Sequence, residues 1–405
     1  MQAFRHVGGR SASMVGWKQR ISRIFLRGFG GRARVLRRFA GFLVIFQSVL
    51  FLAHFFLFET LLFAFSPNPA TARALAWSVS VLSICFLGSS LLGFRYYHVL
   101  VRILYRISAV WLGAFSSLFI AACAWWIIYG VLTLLNVSLP YQGLSFWLFG
   151  VALLVSAYGV IHGAFPQVKR ITVRLRNLPE WWQGRSIALI SDLHLGNIRG
   201  AAFARRSVNK ILAEKPELAI IAGDLFDGTP IDAVPAAAPL AALHLPLGAF
   251  FAEGNHEEFR DTEKLLAAIA ISGVRILDNE KVDLHGLQLL GVPYRHATHT
   301  EHFQSVLAKL QIDRARASIL VTHAPDRPQV AEAAGITLQL SGHTHHGQYF
   351  PFTWVAARIY RQFVYGLSTI GGLQVYTSCG AGSWGPPLRV GSTPEIVIIR
   401  LERAE

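Results

Sequence analysis

Four long, nearly uncharged apolar runs dominate the first part of the chain. They cover roughly Phe39 to Phe65, Ala74 to Phe94, Ser108 to Leu135, and Leu144 to Ala164. Each run reaches the about 20 residues that a helix needs to cross a bilayer. Each is also apolar on all sides rather than along one stripe, which argues against four buried helices of a soluble bundle. We therefore predict four transmembrane helices over residues 39–164.

The basic residues of the chain flank these runs. Residues 1–164 hold fourteen Lys and Arg against one acid, Glu59, a balance of +13, whereas residues 165–405 hold 24 against 22, a balance of +2. A domain that tracks nucleic-acid phosphates would carry its basic excess beside its active site. The charge therefore belongs to the membrane-flanking segments, and we expect no nucleic acid among the partners.

The distribution of these charges predicts an orientation. Ten basic residues lie in residues 1–38, three arginines lie in residues 95–106, and four basic residues follow the fourth run in residues 169–176. The two alternate loops hold only Arg73 and no charge, respectively. Positive residues stay on the cytoplasmic side. We expect a multi-pass protein of the inner (cell) membrane, with the N-terminus and everything after Ala164 in the cytoplasm.

An export signal is the competing interpretation of the N-terminal segment. The stretch RRFAGFLVIF from Arg37 resembles a twin-arginine or Sec signal, and Ala70 to Ala72 imitate a small-residue cleavage site. The apolar run is too long for such a signal, and three more runs follow. We therefore favour a membrane anchor over export.

The first run also carries two ionisable residues, His54 and Glu59. Ionisable groups at that depth in a bilayer are costly. They form either a polar contact between helices or a site of their own, and the sequence leaves both interpretations open.

The pattern changes near Phe165, where short β-type runs begin to alternate with helical stretches such as Ala202 to Lys215 and Thr262 to Ile271. The β-type runs begin at Ile171, Ser186, Leu218, Leu247, Leu287, Ser318, Leu338, Leu373 and Glu395. This alternation is typical of an α/β domain. We predict such a domain over residues 165–405.

Clusters of Asp, Asn and His directly follow five of these runs. In chain order they are SDLHLG, AGDLFDG, EGNHEE, THAP and SGHTHHG, after the runs at Ser186, Leu218, Leu247, Ser318 and Leu338. Open α/β sheets place ligands at the carboxyl ends of their strands. One such motif alone is more typical of a turn cap, but five in succession supply mixed oxygen and imidazole ligands for borderline divalent metals. They offer too many groups for one tetrahedral zinc.

The ordered set D-x-H, G-D-x-x-D, G-N-H-E, H and G-H-x-H resembles the calcineurin-like metallophosphoesterase superfamily from about Ile187 to the C-terminus. The continuations GHTHHGQ and GSWGPPLRVGSTPEI are similar to its membrane-associated bacterial branch, which also includes transmembrane proteins with a metallophosphoesterase domain. The resemblance implies a four-layer α/β/β/α sandwich after the transmembrane region. It also implies a metal-dependent phosphoric ester hydrolase.

The resemblance further implies two divalent ions, with Mn, Fe or Zn all suited to the ligands. The implied ligands are Asp192, His194 and His345 for one ion, Asn255, His323 and His343 for the other, and Asp224 for both. Two cations about 4 Å apart can clamp phosphoryl oxygens during an in-line displacement. His256 is implied as the catalytic group at the leaving oxygen, with the carboxylate of Asp227 fixing its tautomer. A turn or helix-cap role for Asp227 stays open.

For other residues near these motifs, the sequence leaves two roles open. His346 replaces a glycine that relatives commonly carry, so it binds substrate phosphate or faces solvent, while Arg389 either contacts phosphate or has a structural role at the surface. Glu257 is expected to support the ligands rather than to react. The aromatic segment Tyr349–Gly366 either packs against the sheet or lies at a membrane interface.

These observations predict a membrane-anchored dinuclear-metal phosphoesterase that hydrolyses a phosphoester or pyrophosphate bond. The membrane anchor favours a membrane lipid or a lipid-linked nucleotide as substrate, with manganese a suitable metal and lipid metabolism the implied setting. Two alternatives use the same residues: a phosphodiesterase acting on soluble nucleotides, and a non-catalytic membrane sensor or transport protein with a phosphate-binding domain. The sequence sets neither the metal nor the oligomeric state.

Overall fold

A computed structural model describes residues 14–138 and 140–404. It begins with four long helices, α1 (Met14–Phe65), α2 (Pro69–Arg95), α3 (Val99–Leu134) and α4 (Tyr141–Gly163). Each contains a stretch long and apolar enough to cross a membrane, which in α1 is Ala40–Phe65. The four predicted apolar runs are thus confirmed as helices. Residues 1–13 of the predicted basic segment lie outside the described residues.

Single side-chain hydrogen bonds join these helices to one another. Trp125 of α3 donates its indole N–H to the hydroxyl of Ser145 in α4 over 2.9 Å. The hydroxyls of Ser89 in α2 and Ser108 in α3 lie 2.5 Å apart. Small polar residues of this kind are common between membrane helices, because they satisfy polar groups in an apolar medium and let backbones approach.

His54 makes a contact of the same type. Its Nδ1 lies 2.8 Å from the carbonyl oxygen of Leu50, and its Nε2 accepts the indole N–H of Trp111 in α3 over 3.1 Å. The imidazole also stacks on Phe115 at 3.7 Å. Glu59 is exposed on α1. Of the two interpretations left open for His54, the structure therefore supports the polar contact between helices.

Two six-stranded sheets follow the helices. The first has the order β1-β12-β2-β3-β4-β5 and the second the order β10-β11-β9-β8-β7-β6. Strands of the first sheet are β1 (Gln167–Leu175), β2 (Ser186–Ile190), β3 (Leu218–Ala222), β4 (Ala249–Ala252), β5 (Arg275–Ile276) and β12 (Glu395–Arg403). Strands of the second are β6 (Glu280–Leu284), β7 (Leu287–Gly291), β8 (Ser318–Val321), β9 (Leu338–Ser341), β10 (Gly366–Ile370) and β11 (Leu373–Thr377). All nine predicted β-type runs form strands.

Of the remaining described helices, all but the last cover the outer faces of the sheets. They are α5 (Ala201–Ala213), α6 (Ala233–Ala237), α7 (Thr262–Ile271), α8 (Tyr294–Ala297), α9 (Thr300–Lys309), α10 (Pro328–Ala334) and α11 (Phe352–Tyr360). Both predicted helical stretches are confirmed, as α5 and α7.

Side chains that alternate between the two faces of a strand build the layers of the sandwich. In β2, Ile187 and Leu189 join an apolar core shared by both sheets, whereas Ala188 and Ile190 join a second core with α5, α6 and α7. A third core lies between the second sheet and α9 and α10. Because successive side chains of a strand point to opposite faces, one apolar run can supply two cores. The result is the expected four-layer α/β/β/α sandwich.

The sandwich packs directly on the long helices. Leu388 and Val390 contact α4 at Gly159, where an added Cβ would lie 2.7 Å from Val390 and 2.8 Å from Leu388. The backbone N–H of Arg389 donates to the carbonyl oxygen of Gly159 over 3.0 Å. On α3, Arg106 donates to the carbonyl oxygen of Asn197 over 2.8 Å. The helices and the sandwich therefore share one interface.

Candidate metal centre

The polar motifs of the sandwich follow strands whose carboxyl ends meet. Asp192 and His194 follow β2, Asp224 follows β3, and Asn255 and His256 follow β4 in the first sheet; His323 follows β8, and His343 and His345 follow β9 in the second. Each strand is parallel to its neighbour among these, so the loops gather at one edge of each sheet. The two edges face each other across the central core.

The first group of side chains combines Asp192, His194 and His345, whose ligand atoms lie within 4.8 Å of one another. The Nε2 atoms of the two histidines are 2.9 Å apart, and Nε2 of His345 lies 3.4 Å from Oδ1 of Asp192. Two nitrogens bound to one ion, each about 2.1 Å from it, lie about 3 Å apart when the bonds are perpendicular. The spacing fits one divalent ion.

The second group combines Asp224, His323 and His343. Nε2 of His323 lies 3.1 Å from Oδ2 of Asp224 and 3.2 Å from Nδ1 of His343. Nδ1 of His323 lies 2.7 Å from the carbonyl oxygen of Ala222, a contact that leaves Nε2 free to act as a ligand. Asp224 also lies within the reach of His194, so it adjoins both groups.

Asn255 offers an independent test of whether the site fits a cation. Its Oδ1 is buried, and among the residues that the structure describes no donor reaches it. A buried amide oxygen without a partner costs free energy unless something satisfies it. A divalent ion beside Asp224 would do so without adding another carboxylate to the cluster. The donor set therefore fits two cations.

The backbone at the site is unusual. Five of the seven predicted ligands, Asp192, His194, Asp224, His343 and His345, have φ between 49° and 70°. This left-handed region costs a residue with a side chain about 1–2 kcal/mol. In an extended turn through GHTHHG, alternation alone would place His343 and His345 on one side and Thr344 on the other. Instead, left-handed residues aim them, and the hydroxyl of Thr344 donates away from the site to the carbonyl oxygen of Val364.

Burial controls the protonation of the histidines. It lowers the pKa of His343 to about 3 and holds the pKa of His194 and of His345 well below the usual value. A neutral imidazole is the form that ligates a metal. Burial opposes the charge of His323 too, but the charge and hydrogen bond of Asp224 outweigh it and raise the pKa of His323 to about 10.

The carboxylates respond to the same environment in different ways. Burial raises the pKa of Asp192 to about 6. Burial also opposes ionisation of Asp224, yet the positive charges and the hydrogen bond of the surrounding histidines, above all His323, lower its pKa below the usual range. Cationic partners therefore stabilise the charge of Asp224.

His256 lies beside both groups, with its Nε2 atom 3.8 Å from Oδ2 of Asp224. Its Nδ1 contacts the backbone carbonyl oxygen of Asp227 over 2.9 Å, not the Asp227 carboxylate that the family resemblance implies for this role. That carboxylate accepts hydrogen bonds from the backbone N–H groups of Asn197 and Thr229 and from the Thr229 hydroxyl. Asp227 thus has the turn role left open in the sequence, and it steadies His256 through its main chain.

Arg389 is fully buried, which disagrees with a direct phosphate contact and with a role at the surface. Its guanidinium donates to the carbonyl oxygens of His345 and Cys379, each over 2.8 Å. Nη2 also lies 3.1 Å from Nδ1 of His345. When Nε2 of His345 ligates an ion, Nδ1 carries the proton, so the carbonyl contact is the one that holds the residue. Arg389 positions a predicted ligand.

His346 lies away from the two ligand groups. Its imidazole stacks on Tyr365, with ring centroids 4.8 Å apart and planes inclined by 15°. The ring is half-buried, and burial lowers its pKa. This placement favours packing over contact with a substrate phosphate.

Glu257 organises the loops, in line with its expected supporting role. Its fully buried carboxylate accepts three backbone N–H groups, from Asp224, Phe226 and Gly254, over 2.9 to 3.0 Å. Burial raises its pKa to about 8, and the neighbouring charge of Asp224 acts in the same direction. Through these bonds one side chain fixes the loops after β3 and β4 against each other.

Aromatic residues surround the site, and none of them is among the site residues predicted from the sequence. The rings of Phe259 and Trp384 lie 4.5 Å and 5.5 Å from His256, and Tyr294 and Tyr360 lie 5.5 Å and 6.1 Å from His343. Trp384 is half-exposed and its backbone is held by Gln348. The sequence carries a signal for two of the four, because Trp384 lies in GSWGPPLR and Tyr360 lies in the aromatic segment Tyr349–Gly366.

Comparison with known proteins identifies relatives of this domain. The family model described as calcineurin-like phosphoesterase matches residues 185–347. A Campylobacter jejuni protein named "Uncharacterized metallophosphoesterase" is 30% identical over 309 residues, which cover 74% of this chain and 82% of that protein. A Helicobacter pylori protein of the same name is 32% identical over 242 residues, covering 59% of this chain and 64% of the relative.

A vertebrate relative carries a second clue in its name. A Bos taurus protein named "Transmembrane protein with metallophosphoesterase domain" is 32% identical over 273 residues, which cover 63% of this chain and 61% of that protein. The present chain thus spans about three fifths of the length of this relative. Its name combines the two parts found here, apolar helices and a metal-binding sandwich.

Proposed function

The chain belongs to the calcineurin-like metallophosphoesterase family of metal-dependent phosphoesterases, and on that premise we propose that it is a membrane-anchored dinuclear phosphoesterase. The bond hydrolysed is a phosphoester or pyrophosphate. The favoured substrate is a membrane lipid or a lipid-linked nucleotide, in a role in lipid metabolism.

The convergence of the ligand side chains carries this proposal. Loops from two sheets, remote in the sequence, bring carboxylates and imidazoles together in three overlapping groups, within each of which the ligand atoms lie within 4.8 Å of one another. The middle group shares His194 with the first and Asp224 with the third. The unsatisfied Oδ1 of Asn255 adds a further oxygen ligand. Structural ion pairs do not require such a surplus of imidazoles around two buried carboxylates.

Each residue then has a defined task. Asp192, His194 and His345 would hold one divalent ion, Asn255, His323 and His343 the other, and Asp224 both. When bound, two such ions supply charge that stabilises the phosphoryl oxygens in the transition state. Manganese, iron and zinc all remain compatible with this donor set.

His256 is the proposed acid and base of the reaction. Its Nδ1–H donates to the carbonyl oxygen of Asp227, so Nε2 is the atom that exchanges a proton with the leaving oxygen. Phe259 and Trp384 pack around this ring and reduce its contact with water. Glu257 and Arg389 do not react; they hold Asp224 and His345 in position.

The contact between the site and the long helices supports a membrane substrate. Phe94 at the end of α2 and Tyr105 in α3 line one cavity together with His194 and Asp227. The ends of membrane helices therefore form part of the surroundings of the predicted ligands. A phosphate attached to a lipid in the same bilayer would be presented close to this cavity.

The proposal includes the domain boundaries and the orientation of the chain in the membrane. We assign residues 1–38 to a basic cytoplasmic segment, residues 39–164 to the four spans, and residues 165–405 to the phosphoesterase domain. The charge distribution supports an inner membrane protein with that domain in the cytoplasm.

A substrate screen tests the function. Purified protein with added manganese is assayed against lipid phosphates, nucleotide-linked lipids and bis-p-nitrophenyl phosphate, with Asp224→Asn as the inactive control and Asp278→Asn as the matched control. Asp278 is a carboxylate outside both ligand groups whose side chain is 56% exposed. We expect hydrolysis by the wild type and by Asp278→Asn, strongest on a lipid substrate.

Other outcomes separate the alternatives. Equal activity on soluble nucleotides with and without lipid would indicate a soluble-substrate phosphodiesterase. Full cellular function of Asp224→Asn would indicate a non-catalytic membrane protein and contradict the proposal.

A further inference from the structure

Helix α11 exposes an unusual number of large apolar side chains. Phe352, Val355 and Ile359 are 51%, 41% and 65% exposed, and Trp354 is 68% exposed. Spacings of three and four residues place Phe352, Val355 and Ile359 on one side of the helix. We call these three residues the apolar face of α11. Contiguous exposed apolar surface of this kind marks a binding surface.

The segment that leads into α11 lies among the long helices. The side chain of Tyr349 lies close to that of Ser116 in α3. Phe350 lines a cavity of about 380 Å³ together with Trp147 and Leu148 of α4. Ser116 and Trp147 belong to apolar stretches able to cross a membrane. The chain therefore enters α11 from the level of the spans, not from the far side of the sandwich.

The charges of the segment fit the boundary of a bilayer. Residues 349–366 contain no acidic residue, and Arg358 and Arg361, its only charges, are both exposed. Trp354 and Arg358 are four residues apart, so they lie side by side on the helix. Tryptophan at the headgroup level and arginine near lipid phosphate are typical of helices that lie in the membrane interface.

We propose that α11 lies in the headgroup region of the bilayer that α1 to α4 cross, with its apolar face against the acyl chains. The bilayer is the one occupant that explains the exposed apolar side chains, the adjacent arginines and the entry of the segment from the spans. Tyr360, at the end of α11, has its ring 6.1 Å from that of His343. The docked helix thus holds the metal centre close to the bilayer surface.

Spin labels on the intact protein test the docking. One cysteine at a time replaces Phe352, Val355 or Ile359 in a chain with Cys85→Ser and Cys123→Ser; the native Cys379 is kept because it is fully buried. The protein is reconstituted in vesicles of phosphatidylethanolamine and phosphatidylglycerol. The control label is Ile271→Cys, at a residue 71% exposed at the end of α7. We expect labels on α11 to collide more with oxygen, which concentrates in the bilayer, than with a water-soluble nickel chelate. The label at residue 271 should show the reverse.

Two results would overturn the docking. Labels on α11 that behave like the label at residue 271 would place the helix in water. Labels shielded from both reagents would indicate that protein, such as a second copy of the chain, covers the face.

A second readout links the docking to the choice of substrate, and this step rests on the proposed function. Phe352→Ser/Val355→Ser/Ile359→Ser keeps the spans, so the variant stays in the membrane. It should hydrolyse bis-p-nitrophenyl phosphate as the wild type does but a lipid phosphate in the same vesicles several-fold more slowly. The control Val234→Ser/Ile271→Ser, at two exposed sites away from α11, should match the wild type on both substrates.

The outcomes are separable. A triple variant that keeps the lipid activity overturns the link between docking and substrate. A wild type that hydrolyses neither substrate contradicts the proposed function, while the spin labels still decide the docking.

Discussion

The long helices and the sandwich bury polar groups for different purposes. In the helices, fully buried polar side chains such as His54 meet partners within the protein, here Trp111 and the carbonyl oxygen of Leu50. In the sandwich, the buried polar groups crowd at one edge, and Asn255 keeps an oxygen without a partner among the described residues. A buried polar group with hydrogen-bond partners stabilises packing. A cluster of metal-ligating groups with too few partners inside the protein indicates a binding site. The comparison separates structural polar groups from functional ones.

Two buried histidines, His256 in the sandwich and His54 in the long helices, should differ most in their effect on kcat when they are replaced. We expect His256→Asn to lower kcat about 10²- to 10⁴-fold, because proton transfer at the leaving oxygen is lost, while the metal content stays unchanged. His54→Asn should leave kcat unchanged and lower the free energy of unfolding by about 1 kcal/mol. Steady-state kinetics, elemental analysis and thermal unfolding in detergent measure these effects. A comparable loss of kcat in both variants would remove the distinction between the regions.

Two buried arginines where the long helices meet the sandwich give a second comparison of functional and structural polar groups. Arg389 holds the carbonyl oxygen of His345, whereas Arg199 donates to the hydroxyl of Ser383 and to the carbonyl oxygen of Gly163, neither of which is a predicted ligand. We expect Arg389→Ala to weaken metal binding about 10- to 100-fold. Arg199→Ala should lower stability with little change in metal affinity. Titration of the metal-free protein with manganese compares the two, and equal affinities would show that Arg389 only packs.

The interface itself is tested at two glycines of α4. A side chain at Gly159 would collide with Leu388 and Val390, whereas nothing described lies within 4 Å of a Cβ added at Gly150. Overpacking costs about 1–3 kcal/mol. We expect Gly159→Leu to lower the midpoint of thermal unfolding and to increase hydrogen exchange in residues 386–390, and Gly150→Leu to do neither. Unchanged hydrogen exchange in residues 386–390 of Gly159→Leu would mean that the packing of the sandwich does not depend on its contact with α4.

The smallest effect concerns a single hydrogen bond between spans. Ser145→Ala removes the acceptor of the Trp125 indole and should cost about 0.6 kcal/mol. Ser78 is exposed and donates only to Ala74 within its own helix, so Ser78→Ala should have no measurable effect. Loss of helical circular dichroism on heating in detergent reports both. A change in kcat for Ser145→Ala would indicate that the spans take part in catalysis.

The sequence predicted most of the fold because apolar periodicity controls it. The strands it missed are β5, with two residues, and the edge strands β6 and β10, whose side chains are all at least partly exposed. EKVDL and GLSTI lack the apolar runs that signal a buried strand. They form because each pairs in an antiparallel hairpin with a predicted strand, β7 or β11, a tertiary effect that composition does not reveal.

The ligand residues were predictable because they follow strands, but their supports were not. The carbonyl oxygens that hold Arg389 belong to residues as distant as His345 and Cys379. No local pattern marks an arginine for burial, and charged residues are usually exposed. Likewise, nothing in G-D-x-x-D distinguishes the carboxylate of Asp227 from its carbonyl oxygen as the partner of His256. The sequence does not reveal the left-handed backbone at the ligands either, because Asp and His adopt it more often than most residues but still only in a small minority of cases.

Metal content per chain tests the central claim most directly. Elemental analysis of the purified wild type, after saturation with manganese and removal of the free ion, should give about two divalent ions per chain. Asp224→Asn should retain fewer, since both ligand groups adjoin this carboxylate. A wild type that retains no ion, or an Asp224→Asn variant that retains as many as the wild type, would contradict the account.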